Sequence, residues 1–142
     1  MTLLPLQCQW PDAATARALQ TLCDEFCWLV DHGHADRTQH LFTPDVQYHA
    51  QGVASAGIEA LMRRMAERAA RRDYRSRHVV SGLRLHACGP DEVQGQSLLV
   101  VYRDSPSPAL VADVHDRYRR GAAGDWRIAQ RHIEPALPAA AR

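Results

Sequence analysis

Apolar residues recur at helical spacing from Ala13 onward. Leu19, Leu22, Cys23, Phe26, Cys27, Leu29 and Val30 follow the i, i+3, i+4 rule, with Arg17, Gln20, Thr21, Asp24 and Glu25 opposite. The pattern predicts an amphipathic helix over 13–32, with Asp12 as its cap just after Pro11. A short helical turn follows over Asp36–Leu41, closed by Phe42-Thr43-Pro44-Asp45. Val46–Ala50 alternates as a short strand, and Gly52–Gly57 reads as a small-residue loop. A second helix is predicted from Ile58 to about Arg72. Its apolar row is Ile58, Leu61, Met62, Met65, Ala66 and Ala69; Arg63, Arg64, Glu67, Arg68, Arg71 and Arg72 lie opposite, as a solvated face.

The period then switches from helical to two-fold and stays there. Strands are predicted over 77–87, 92–104, 109–120 and 125–133, joined by Cys88-Gly89-Pro90-Asp91, by Asp104–Pro108 and by Gly121–Gly124. Consecutive strands with short connections make an antiparallel meander. Helices first and a meander after them define an α+β domain spanning 1–142, with an irregular lead over 1–12 and a loose tail over 135–142. The long helix should lie in the concavity of a strongly curved sheet, leaving a cone-shaped cavity. In the strand 77–87, strict alternation puts His78, Val80, Gly82 and Arg84 on one face and Val79, Ser81, Leu83 and Leu85 on the other. Leu83 and Leu85 would then be bare on the outer sheet face, which predicts a homodimer.

Composition narrows the function classes. Of 142 residues 46% are hydrophobic and 23% charged, as in a globular domain, and no apolar run approaches a membrane span. Net charge is only +1, so no global field favours nucleic acid or a membrane surface. All 17 basic residues are arginine, which reads as a codon preference and not as a binding signal. The first residues lack the basic and apolar regions of a secretory leader. Cys23 and Cys27 lie one helical turn apart while Cys8 and Cys88 stand alone; without Cys-x-x-Cys pairs, free thiols in a reducing cytoplasm are expected. Rossmann and phosphate-loop glycine patterns are absent, so no nucleotide cofactor is expected.

Two positions stand out chemically. Asp31 continues the inward row Cys23, Cys27, Asp31, yet a carboxylate at a helix C-terminus faces the negative end of the macrodipole. Such a residue calls for a partner. His78 opens the strand over which that helix should pack, and an Asp31–His78 acid–base dyad follows as an expectation. His32 and His34 flank Gly33 and could ligate a metal as His-x-His, but histidines favoured by the helix C-terminus explain them without one.

The order of several phrases resembles a known family. A long helix ending Leu29-Val30-Asp31, then His40-Leu41-Phe42-Thr43-Pro44-Asp45-Val46-Gln47-Tyr48, a Gly57-Ile58-Glu59-Ala60-Leu61 helix start, Ser76-Arg77-His78-Val79-Val80-Ser81 and a final Gly124-Asp125-Trp126-Arg127-Ile128-Ala129 resemble the SnoaL-like domain. That group belongs to the nuclear transport factor 2-like superfamily, and the resemblance covers about residues 13–134. It implies a cone-shaped, cystatin-like α+β barrel, often dimeric through the outer sheet face, whose cavity takes small, mostly apolar or aromatic molecules. Relatives include polyketide cyclases, scytalone dehydratase, ketosteroid isomerase, epoxide hydrolases and the small subunit of ring-hydroxylating dioxygenases, so fold does not settle function. The resemblance implies Asp31 and His78 as catalytic residues of the scytalone dehydratase type and Tyr48 as an active-site tyrosine. Val30 departs from that type, which has a tyrosine beside the aspartate. Tyr102 and Arg103 depart as well, standing where a second catalytic histidine would be. Asp113 or His115, on the next strand, could substitute for it, and Tyr102, Asp113, His115 and Tyr48 are the candidate substrate contacts. The expected activity is dehydratase, isomerase or cyclase chemistry on a hydrophobic or polyketide-like substrate, without metal or cofactor. A non-catalytic binding protein or a dioxygenase small subunit is the alternative.

Overall fold

The structure is a computed structural model, and it describes residues 3–73, 75–104, 106 and 108–137. Its elements run in order α1 (Ala13–Asp31), two short 3-10 turns (Ala35–Arg37 and Gln39–Leu41), β1 (Phe42–Ala50), β2 (Val53–Ala56) and α2 (Ile58–Ala70). β3 (Ser76–Ala87), β4 (Glu92–Arg103), β5 (Leu110–Arg120) and β6 (Trp126–Pro135) complete the chain. The α+β class, the two main helices and the four-strand meander match the expectation. α1 begins where Asp12 caps it, the carboxylate accepting from the Thr15 N–H at 2.7 Å.

All six strands form one curved sheet in the order β2-β1-β6-β5-β4-β3. The cone is open, because β2 and β3 are edges that do not meet. β1 pairs parallel with β6, while every other pairing is antiparallel. α1 lies against β3 and β6 and buries Leu19, Cys23, Phe26, Cys27 and Val30, the predicted stripe. Those residues share one core with Phe42, Val46, Tyr48, Leu61, Met65, Leu85 and Tyr118.

The expected Gly52–Gly57 loop is instead mostly strand β2, hairpinned to β1 with Ala50 opposite Val53. Gln51 (φ 56) and Gly52 (φ 73) make the tight turn. Both central residues need positive φ, and Gln-Gly is a weaker signal for that than Asn-Gly or Asp-Gly. β1 begins at Phe42 rather than Val46, because Phe42 pairs with Ile128 of β6, a contact made 86 residues away in the chain.

The face assignment in β3 is corrected in its second half. Ser76 and His78 face inward as strict alternation requires, but the pairing with β4 slips between Ser81 and Arg84. Gly82, at φ 63, makes this bulge, and the added residue reverses the alternation. Leu85 is therefore fully buried and Leu83 packs on the core, so neither lies bare on the outer face. The exposed apolar residues on that face are Val79, Leu98 and Tyr102.

The lead is irregular but docked. Leu4 is buried, the Ala87 N–H donates to the Gln9 carbonyl at 2.7 Å, and Arg84 donates to the Pro5 carbonyl at 2.8 Å. At the other end, Pro135 belongs to β6 and the Ala136 N–H donates to Val111. The remainder of the predicted tail, 138–142, lies outside the described residues.

Candidate active site

Asp31 and His78 meet. His78 Nδ1 lies 2.5 Å from Asp31 Oδ1, and the His78 backbone N–H donates to Oδ2 at 2.7 Å. Ser76, two residues back on the inward face of β3, donates its hydroxyl to Oδ1 at 2.7 Å. The Asp31 side chain keeps only 5% of its surface exposed and that of His78 15%. Burial alone would push the Asp31 carboxyl up, but the donors from His78 and Ser76 outweigh it and hold the carboxyl below its ordinary value. With Nδ1 committed to Asp31, His78 has Nε2 left over, and the residue lines a cavity. The partner that the dipole argument demanded of Asp31 is thus His78 and Ser76.

The cavity measures about 120 Å³ and lies between α1, α2 and the concave sheet face. Phe26, Val30, Met65, Val80, Leu99 and Val101 supply much of its apolar wall. Tyr48 also lines it, its ring packed between Phe26 (6.3 Å) and Phe42 (6.2 Å). Burial raises the Tyr48 phenol pKa, so the ring presents a neutral O–H, a hydrogen-bond donor. The same burial pushes the Cys27 thiol up to about 12 and raises that of Cys23, so neither wall cysteine is a ready nucleophile.

Three sequence candidates do not reach this cavity. On β4 the odd positions Val93, Gly95, Ser97, Leu99 and Val101 are buried, so Tyr102 projects outward and is 57% exposed. On β5 the even positions Ala112, Val114, Asp116 and Tyr118 are buried, which turns Asp113 and His115 to the outer face. His115 lies there beside Gln96, with Nδ1 3.2 Å from the amide nitrogen. Neither Asp113 nor His115 therefore takes the place of a second cavity histidine. Arg103, whose neighbour Tyr102 points away, lines the cavity there.

The sequence reading missed four arginines of the cavity wall: Arg64, Arg68, Arg103 and Arg131. Arg64 and Arg68 lie one turn apart on α2, half-buried where a solvated face was expected. Arg64 donates to the carbonyls of Ala50 (2.8 Å) and Val53 (3.0 Å), clamping the β1–β2 turn, and lies 5.3 Å from the Tyr48 ring centre. Arg68 donates to Ser76 Oγ at 2.9 Å, extending the chain Arg68–Ser76–Asp31–His78. Arg131, 4% exposed, forms a two-point pair with Asp116, Nε to Oδ1 at 2.8 Å and Nη2 to Oδ2 at 2.7 Å. Tyr118 donates to the same carboxylate at 2.7 Å and lies 3.2 Å from Cys23 Sγ. Burial works against the Arg131 charge, but Asp116 more than offsets it and keeps the guanidinium protonated.

The His32 ring stacks on Trp28 at 4.1 Å and its Nδ1 donates to the Trp28 carbonyl at 2.7 Å, closing the helix end. Among the described residues no group of three His, Cys, Asp or Glu side chains is placed to hold a metal ion.

The family of SnoaL-like domains matches residues 11–132. The chain belongs to the SnoaL-like domain family. This SnoaL-like protein has the fold of several solved structures. A proposed scytalone dehydratase from Novosphingobium aromaticivorans superposes with TM-score 0.77 at 16% identity, over 87% of this chain and 85% of that one. A protein from Catenulispora acidiphila in complex with S-DNPA gives TM-score 0.73 at 26% identity, over 87% and 95%. A protein of unknown function with a cystatin-like fold from Nostoc punctiforme gives 0.75 at 21%, over 89% and 96%. No curated protein matches the sequence. The family and the largely apolar cavity make this a small-molecule-binding SnoaL-like protein. No helix among the described residues is long and apolar enough to cross a membrane.

Proposed function

We propose that this SnoaL-like protein is a cofactor-independent acid–base enzyme of dehydratase, isomerase or cyclase type acting on a small hydrophobic or aromatic substrate. The observation that carries the reading is the 2.5 Å contact between His78 Nδ1 and Asp31, which leaves Nε2 as the ring atom available at the cavity wall. Asp31 fixes the tautomer and orientation, and His78 Nε2 takes a proton from carbon next to a substrate carbonyl. Asp31 also stabilises the imidazolium that results. Tyr48 donates its O–H to the oxygen on which negative charge develops. His78 then returns the proton, to a different carbon in an isomerisation or to a departing hydroxyl in a dehydration. The apolar walls exclude water and favour a flat or cyclic carbon skeleton. The dehydratase name of the Novosphingobium structure agrees with this reading, and the S-DNPA complex of the Catenulispora protein agrees with a ligand-binding role.

The protein works in the cytoplasm, where its four free cysteines stay reduced, and as a homodimer through the outer sheet face. The test of the chemistry is deuterium exchange into phenylacetone, a one-ring ketone with an acidified C–H, followed by proton NMR in heavy water. The native protein accelerates exchange, and His78→Ala and Asp31→Asn each lower the rate by about a hundredfold or more while the circular dichroism spectrum stays native. Tight binding of the ketone with no accelerated exchange would instead mean a carrier without chemistry.

A further inference from the structure

The cavity wall is electrically lopsided. Among its twenty described lining residues are four arginines and no aspartate or glutamate. Asp116 neutralises Arg131 from behind the wall, and Asp31 belongs to His78. The contacts of Arg64 are to the carbonyls of Ala50 and Val53, which hold its guanidinium in place without cancelling its charge. Arg103 has no carboxylate partner among the described residues, and neither does Arg64. Arg103 projects inward from the end of β4 opposite Ser76, the residue that donates to Asp31. A cationic group kept half-buried beside apolar walls is costly unless something repays its lost hydration. A ligand anion is the missing group.

We infer that the ligand of this cavity is a small carboxylic acid on an aromatic or cyclic skeleton, its carboxylate held by Arg103 with Arg64 and its ring against Phe26, Val30, Leu99 and Val101. A guanidinium presents paired N–H donors in one plane, which matches the two oxygens of a carboxylate. The size agrees: a cavity of 120 Å³ is close to that which encloses benzene, about 150 Å³, and well below the roughly 300–1,000 Å³ of drug-sized sites. Arg103 also explains why this wall needs no second histidine. A guanidinium cannot accept a proton, so it anchors the acid group while His78 alone moves the proton. This inference names the substrate class for the acid–base reading above and rests on that same cavity.

The experiment is calorimetric titration with 3-phenylpropanoate and with 3-phenylpropanamide, which share ring and chain and differ in charge. The native protein binds the acid at least about tenfold more tightly than the amide. In Arg103→Gln the preference falls to about twofold or less because the acid weakens while the amide does not, and Arg103→Lys restores part of it. Raising salt from about 0.05 to 0.5 M weakens the acid alone. His78→Ala keeps the preference, which separates this inference from the acid–base chemistry: loss of exchange in His78→Ala with no acid preference in the native protein would sink the carboxylate and leave the dyad standing. Equal affinity for both probes, a preference that survives Arg103→Gln, or no binding of either probe at about 10 mM would overturn the inference.

Discussion

Asp31 is a carboxylate placed where its own helix repels it, and three hydrogen bonds from β3 make that position favourable: the Ser76 hydroxyl, the His78 N–H and the His78 ring. The consequence is a pH dependence of known sign. Because the folded carboxyl lies below its ordinary value, the ionised form adds stability that is fully present above the unfolded pKa and is lost as pH falls through the folded one. Chemical denaturation of the native protein and Asp31→Asn as a function of pH tests this. The part of the native advantage that comes from the ionised carboxylate is present above about pH 4 and shrinks below it, where the unfolded carboxyl protonates. An advantage that kept growing as pH fell below about 4 would mean that Asp31 is neutral in the folded protein. The same residue sets the outcome of exchange: if the pair were only structural, Asp31→Asn would lower stability and leave the phenylacetone rate untouched.

At the scale of elements, two glycines govern which faces the strands present. Gly82 carries the bulge that turns Leu85 inward after His78 has already faced the cavity, so one strand serves both the site and the core. Gly95, inward on β4, leaves room for the ring of Tyr118: a Cβ there would stand 2.8 Å from Cε2 and 3.1 Å from the hydroxyl oxygen. Tyr118 cannot easily retreat, being fully buried and tied to Asp116 at 2.7 Å. Gly95→Ala therefore costs about 1–3 kcal/mol, the usual size of an overpacking penalty, and thermal unfolding will show it as a fall of several degrees. An unchanged melting temperature would mean that the Tyr118 ring and its Asp116 contact move freely.

For the whole molecule, the sheet has α1 against its concave side, while Val79, Leu98 and Tyr102 remain 49%, 51% and 57% exposed on its convex side. Val79 and Leu98 lie on the paired strands β3 and β4, and Leu3 of the docked lead lines the same surface groove as Leu98. The dimer proposed above uses this patch, in place of the Leu83 and Leu85 that alternation had suggested. Light scattering at micromolar concentration gives about twice the 15.9 kDa chain mass, and Leu98→Arg shifts the protein toward the monomer. A native monomer would assign the patch to something other than self-association.

Local pattern determined much of this protein. Hydrophobic period located both main helices and four strands, because burial of one face imposes a spacing that any single element carries in its own residues. The dipole conflict at Asp31 and the position of His78 were readable for the same reason, while the family was readable from the resemblance that the order of several phrases carries. Tertiary structure alone decided the rest. On β4 and β5 both alternations contain apolar residues, Leu98 and Val100 against Leu99 and Val101, so only packing shows that Arg103 faces in while Tyr102, Asp113 and His115 face out. The Arg131–Asp116 pair exists because β5 and β6 align those two positions, a register that no local signal encodes. Arg64 and Arg68 looked like solvent-facing charges on α2; the β1–β2 turn and Ser76, brought close by the fold, make them part of the cavity. Periodicity reports which face an element buries, whereas a site is made where faces of different elements converge, and that convergence is a property of the assembled chain.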